Sequence, residues 1–193
     1  RRLGRRCEVI YPRALSVREA GLLVDDCEFR LEQVERFFGV PPSGRIRAYF
    51  FRDARQKQDL MGAGQTFIAK PWRREVYLQI APFPHPVLKH EIAHVVAGSF
   101  ARGPFRVSAR LGGLLPLPGL IEGAAVAAAW ERDALTPHQW SRAMQTLKMA
   151  PPVRSLVGLG FFSNNAPMAY TLAGSFSRFL IDRYGVARFR RAY

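Results

Sequence analysis

The pentapeptide His90-Glu91-Ile92-Ala93-His94 restricts this chain more than any other stretch of it. On a helix, residues i and i+4 differ by only about 40° around the axis, so His90 and His94 face the same way and both can bring a ring nitrogen to one metal ion. Glu91 sits one position on, beside that face. From there its carboxylate reaches a water next to the ion better than the ion itself, which is the placement of a general base. In the surrounding run HPVLKHEIAHVVAGSF, Val87, Leu88, Ile92, Val95 and Val96 occupy the other faces, so a largely buried helix is expected. A hydrogen-bonded pair of core histidines is the alternative to a metal pair.

A catalytic zinc takes three protein ligands and keeps one position open. A third His six residues after His94 would complete the metzincin arrangement, but Phe100 stands there and Gly98 is one place off. Further on, Glu122 is the sole acidic side chain of the apolar run GLIEGAAVAAA. A lone carboxylate there is costly to bury unless something pairs with it or it coordinates a cation, and a zinc ion supplies that compensation. Capping the Pro118 turn or meeting an arginine is the other reading of Glu122. Glu75, Glu131 and His138 are weaker candidates, because nothing local points them toward the HEIAH helix.

The rest of the chain reads as strands first and helices after. CEVIYP (Cys7 to Pro12) alternates as a strand; Ser16 and Glu19 form an S-x-x-E capping box; Ala20, Leu23, Val24, Cys27, Leu31, Val34 and Phe38 keep helical spacing up to Gly39, Pro41 and Pro42. RIRAYFF is a second strand, Asp53 caps a short helix to Met61, and TFIAK and REVYLQI are two further strands. Helices are expected at about Pro86–Phe100, Pro118–Glu131, Pro137–Met149 and Pro167–Tyr184, the last closed by Gly185. A mixed sheet of about four strands followed by a helical half is an α+β pattern.

The 193 residues, 48% hydrophobic, suit one globular domain of 1–193 rather than disorder. Four of the 29 Lys+Arg are Lys, leaving 25 Arg, and the formal net charge is +14. The arginines are scattered over separate segments and no helix carries a basic stripe, so base composition explains them more readily than a nucleic-acid surface, and nucleic acid is not the expected partner. Leu111 to Trp130 is long enough to span a bilayer, but it holds four Gly and Pro within Gly112–Pro118 and the charged Glu122, which argues against a transmembrane segment.

The chain begins without Met, and RYGVARFRRAY breaks off inside what reads as a helix. The expectation is therefore a catalytic core cut from a longer parent, with Arg1–Arg6 and Arg188–Arg191 able to flank membrane segments if that parent is membrane-anchored. Cys7 and Cys27 stand at matching heights if strand and helix run antiparallel from the turn near Leu15, at about 3.3 Å and 1.5 Å per residue. They could pair, which would indicate an oxidising, extracytoplasmic location; the spacing equally allows an ordinary buried thiol at Cys27, and that reading is preferred here.

HEIAH followed by Glu122 in the form L-I-E-G-A-A resembles the gluzincin superfamily of zinc metallopeptidases, whose second active-site helix carries E-G-x-A. The later stretch Ala169 to Phe176, running on to Gly185, is similar to the closing helix of the peptidase MA-like members. The likeness covers roughly residues 45 to 190. It implies a thermolysin-like fold, zinc held by His90, His94 and Glu122, Glu91 as the base that activates water, and Tyr170 as a donor to the oxyanion. Aminopeptidases of the superfamily bear G-A-M-E-N before the first His, where this chain reads Gly62-Ala63-Gly64-Gln65-Thr66. Without that carboxylate an ammonium group is not neutralised, so the resemblance implies an endopeptidase acting on peptide or protein, the neighbouring strand binding extended peptide. An inactive relative that only binds peptide is the alternative. The Gly/Pro-rich stretch Ala101 to Leu117 is expected as a loop rimming the cleft, and Arg102, Arg106 and Arg110 would there favour acidic peptides.

Overall fold

The structure, a computed structural model, describes residues 1–41, 44–130 and 135–193. The chain divides into two compact units, Arg1–Val96 and Ala97–Tyr193. In the first, β1 (Arg2–Leu3) and β2 (Cys7–Ile10) precede α1 (Val17–Phe38), followed by β3 (Ile46–Phe51), α2 (Ala54–Met61), β4 (Ile68–Lys70), β5 (Glu75–Gln79) and α3 (Leu88–Ala97). The sheet order is β1, β2, β3, β5, β4; β2, β3 and β5 run parallel, while β1 and β4 are antiparallel at the two edges.

Alternation decides which face of this sheet is buried. Ile46, Ala48 and Phe50 point inward from β3, and the register sets Val9 and Val76 on either side of Ala48, giving an apolar row with no solvent exposure at its centre. α1 packs on β2 with its Leu23, Cys27, Leu31, Val34 and Phe38 stripe. Its first turn is closed as the spacing predicts: the Ser16 hydroxyl accepts from the Glu19 amide and the Glu19 carboxylate accepts from the Ser16 amide at 2.8 Å. Gly39, at φ 58°, ends it in the left-handed conformation that glycine takes without strain.

The second unit is helical: α4 (Pro118–Ala129), α5 (Pro137–Thr146), α6 (Val153–Val157), α7 (Ala166–Tyr184) and α8 (Val186–Ala192). α4 and α5 both pack on α7. The approach of α4 to α7 runs through glycine. A methyl group at Gly123 would overlap the Ala173 carbonyl and the Ser177 hydroxyl, and one at Gly174 would overlap the Val126 side chain. A second cluster gathers Leu156, Phe161, Ala169, Leu172 and Ala173.

The fold is thus α+β, with some departures from the expected elements. The main sheet has five strands rather than about four, because the two-residue β1 is too short to show alternation. For the same reason the stretch Ala101 to Leu117 was expected as plain loop; it carries a small ribbon of β6 (Ala109–Arg110) and β7 (Leu115–Pro116) around a 3-10 turn at Leu111–Gly113. α6 and α8 were not expected as separate helices. Cys7 and Cys27 form a disulfide across a Cα separation of 6.2 Å, which corrects the free-thiol reading. Pro42, expected to help stop α1, and Glu131, expected at the end of α4, lie outside the described residues. No helix of the described residues is long and apolar enough to cross a membrane.

Candidate metal centre

The HEIAH segment is helical in α3, as its spacing predicts, and Leu88, Ile92, Val95 and Val96 are buried on its other faces. The Nε2 atoms of His90 and His94 lie 3.2 Å apart with the rings nearly perpendicular. Two ligands at about 2.05 Å from a tetrahedral ion would stand about 3.3 Å apart, so the pair already has the spacing that a shared zinc requires. Glu91, one position on, is 5% exposed.

The start of this helix is held by a residue with no counterpart among the sequence expectations. His85 is 1% exposed; its Nδ1 accepts from the Val87 and Leu88 amides at 3.2 Å each, and its Nε2 lies 2.9 Å from the Gln79 carbonyl. These partners assign the tautomer: Nδ1 must be bare to accept two N–H groups, so Nε2 carries the proton. The ring therefore caps α3 and ties it to the end of β5. Asp26 in α1 completes the tie by accepting from the His85 amide at 2.8 Å. Burial pushes the His85 pKa down, with the Gln79 carbonyl and Asp26 opposing.

Lys57 of α2 was likewise unexpected. It has no exposed surface, its ammonium donates to the Thr66 carbonyl, and it lies 5.8 Å from the centre of the Phe67 ring. Desolvation lowers its pKa, while the field of Glu91 favours the charged form. A buried cation therefore acts electrostatically on Glu91. No sequence signal distinguishes Lys57 from the other polar residues of ARQKQDLM.

Glu122 sits in the first turns of α4, half-buried, with Gly123 directly after it at the close contact with α7. His90, His94 and Glu122 are a group of side chains that could hold a metal ion, each offering one ligand atom. Two imidazoles and a carboxylate are a donor set suited to zinc.

The weaker candidates are engaged elsewhere. Glu75 is ion-paired to Arg73 at 2.8 Å and accepts from the Tyr77 hydroxyl, and His138 is bonded to the Ser175 hydroxyl at 2.8 Å and stacks edge-on against Trp130. Glu131 lies outside the described residues. Tyr170 on α7 is half-buried against Phe161, ring centres 5.3 Å apart. Gln65 is exposed just before the edge strand β4. Of the three loop arginines, Arg102 lines a cavity of the second unit, while Arg106 and Arg110 are exposed outside its lining. No family model matches this sequence, and no curated protein matches it either.

Proposed function

We propose that this protein is a zinc-dependent endopeptidase of the gluzincin type, with a thermolysin-like catalytic fold. What supports the reading most is the 3.2 Å spacing of the His90 and His94 ring nitrogens with the Glu91 carboxylate buried on the same helix. His90, His94 and Glu122 hold the ion. When bound, zinc supplies Lewis acidity, making nearby water more acidic and polarising the scissile carbonyl. Glu91 takes a proton from the attacking water and returns it to the leaving amine. The Glu91 charge favours the ammonium form of the buried Lys57. Tyr170 donates its phenolic proton in a hydrogen bond to the developing oxyanion. β4 is an edge of the sheet, and an extended peptide adds to such an edge by main-chain hydrogen bonds.

The test is Glu91→Gln, which keeps size and removes the base. Zinc content is expected to stay unchanged while peptide hydrolysis falls by about 10²–10⁴-fold; zinc and activity both retained would sink the assignment. A zinc-loaded wild-type protein that cleaves no member of a broad peptide library would instead leave a peptide-binding domain.

A further inference from the structure

The small ribbon of β6 and β7 ends in a turn where apolar side chains face water. Leu111 and Leu114, on either side of Gly112 and Gly113, are 75% and 80% exposed, and Leu115 beside them in β7 is exposed as well. A single exposed leucine needs no explanation, but these are grouped at one turn. Leu111 also stands at φ 50°, in the left-handed region that a leucine enters only at a cost. Neither local conformation nor burial among the described residues accounts for leucine at this position.

The fold adds a basic collar to this tip. A Cβ on Gly103 would stand 2.8 Å from the Gly113 Cα, and one on Gly113 would stand 2.9 Å from the Gly103 Cα, so the backbone at Gly103 abuts the tip. The Arg106 amide donates to the Gly103 carbonyl at 3.3 Å and closes a turn there, while Arg102 and Arg110 directly precede Gly103 and Leu111. Three arginines therefore gather at the leucines. All three are exposed, and their side chains make no hydrogen bond or ion pair among the described residues. No Asp or Glu occurs between Glu91 and Glu122, so the chain around the tip supplies no local countercharge.

The combination of charge and apolar surface selects the partner. An acidic peptide would engage the arginines and leave the leucines in water, whereas a second copy of the chain would cover the leucines and bring like charges together. A bilayer carrying anionic lipid answers both: its headgroup phosphates match the guanidinium forks, and its acyl boundary takes the leucines. We propose that the β6–β7 ribbon docks on the surface of an anionic lipid bilayer, with Leu111 and Leu114 inserted and Arg102, Arg106 and Arg110 on headgroup phosphates. The proposal does not depend on the peptidase reading, because binding and not hydrolysis defines it.

The experiment measures co-sedimentation of the intact protein with phosphatidylcholine vesicles containing about one third phosphatidylglycerol, and with vesicles of phosphatidylcholine alone. Binding to the anionic vesicles is expected to be at least about 10-fold tighter and to weaken as salt is raised. Leu111→Asn and Leu114→Ser each weaken it about 10-fold, and Arg106→Gln and Arg110→Gln each about 5-fold. Asparagine tolerates positive φ better than leucine, so the Leu111 variant keeps its fold, and matching circular dichroism checks all four. Leu60→Gln and Arg13→Gln, which change exposed residues outside the ribbon, leave binding unaltered. The proposal is overturned if the anionic vesicles do not bind the protein, if a polyglutamate peptide binds and no vesicle does, if the tip drives self-association without vesicle binding, or if the control variants weaken binding as much as those in the ribbon.

Discussion

His85 shows how much of a site can depend on a residue outside it. It satisfies two orphan amides at the start of α3 and one carbonyl at the end of β5, so its removal leaves buried polar groups without partners. His85→Ala is expected to lower stability by about 2–3 kcal/mol in urea denaturation. Its titration gives a second readout. The folded pKa is held below the ordinary 6.5, so on acidification the unfolded chain takes up the proton first. The stability that neutral His85 contributes is complete above about pH 6.5 and is lost as pH falls toward the folded value. A His85→Gln variant should flatten this acid slope, and an unchanged slope would contradict the assignment. His90, Glu91 and His94 were legible in the sequence because one helical turn brings them together. His85 and Lys57 were not, because their partners, Gln79, Asp26, Thr66 and Glu91, come from other elements.

Among elements, the contact of α4 with α7 explains why glycine follows Glu122. With no side chain at Gly123 or Gly174 the two helices reach backbone-to-backbone distance, and that contact holds the turn of α4 bearing Glu122. Gly123→Ala is expected to destabilise by about 1–3 kcal/mol through overpacking, despite the higher helix propensity of alanine. Gly44→Ala is the control: among the described residues its Cβ would meet only Arg74, at 3.9 Å, and φ there is not positive, so a change within about 0.5 kcal/mol is expected. Equal costs at the two sites in thermal denaturation would discard the packing argument. The α4 helix could be read from its apolar run, but its neighbour could not, since small residues at Gly123 and Gly174 show closeness only once both helices are placed.

For the molecule as a whole, a metal held by His90, His94 and Glu122 would link function to stability. A ligand that binds the folded chain alone stabilises it by RT ln(1 + [L]/Kd), about 2.7 kcal/mol at 100 times Kd. Zinc added to chelator-treated protein is therefore expected to raise the melting temperature, and His94→Ala should abolish the rise; a zinc effect that survives this substitution would place the ion elsewhere. The Cys7–Cys27 bridge acts at the same scale, joining β2 to α1 across 20 residues of sequence and fitting an oxidising environment. The +14 charge is spread over both units. What the fold adds is that Arg102, remote in sequence from Arg190 and Arg191, lines one cavity of the second unit with them.

By itself the sequence determined the periodic parts: the α+β order, the Ser16 and Asp53 caps, the helical placement of HEIAH and the isolation of Glu122 in an apolar run. Each of these follows from interactions within a few residues, where spacing and side-chain chemistry suffice. Only the tertiary structure decided that Cys7 is bridged to Cys27, that His85 caps α3, that Lys57 is buried within the field of Glu91, and that arginines nearly ninety positions apart share one cavity. Those facts depend on distances between segments remote in the chain, and burial and electrostatics are set by such distances rather than by sequence spacing.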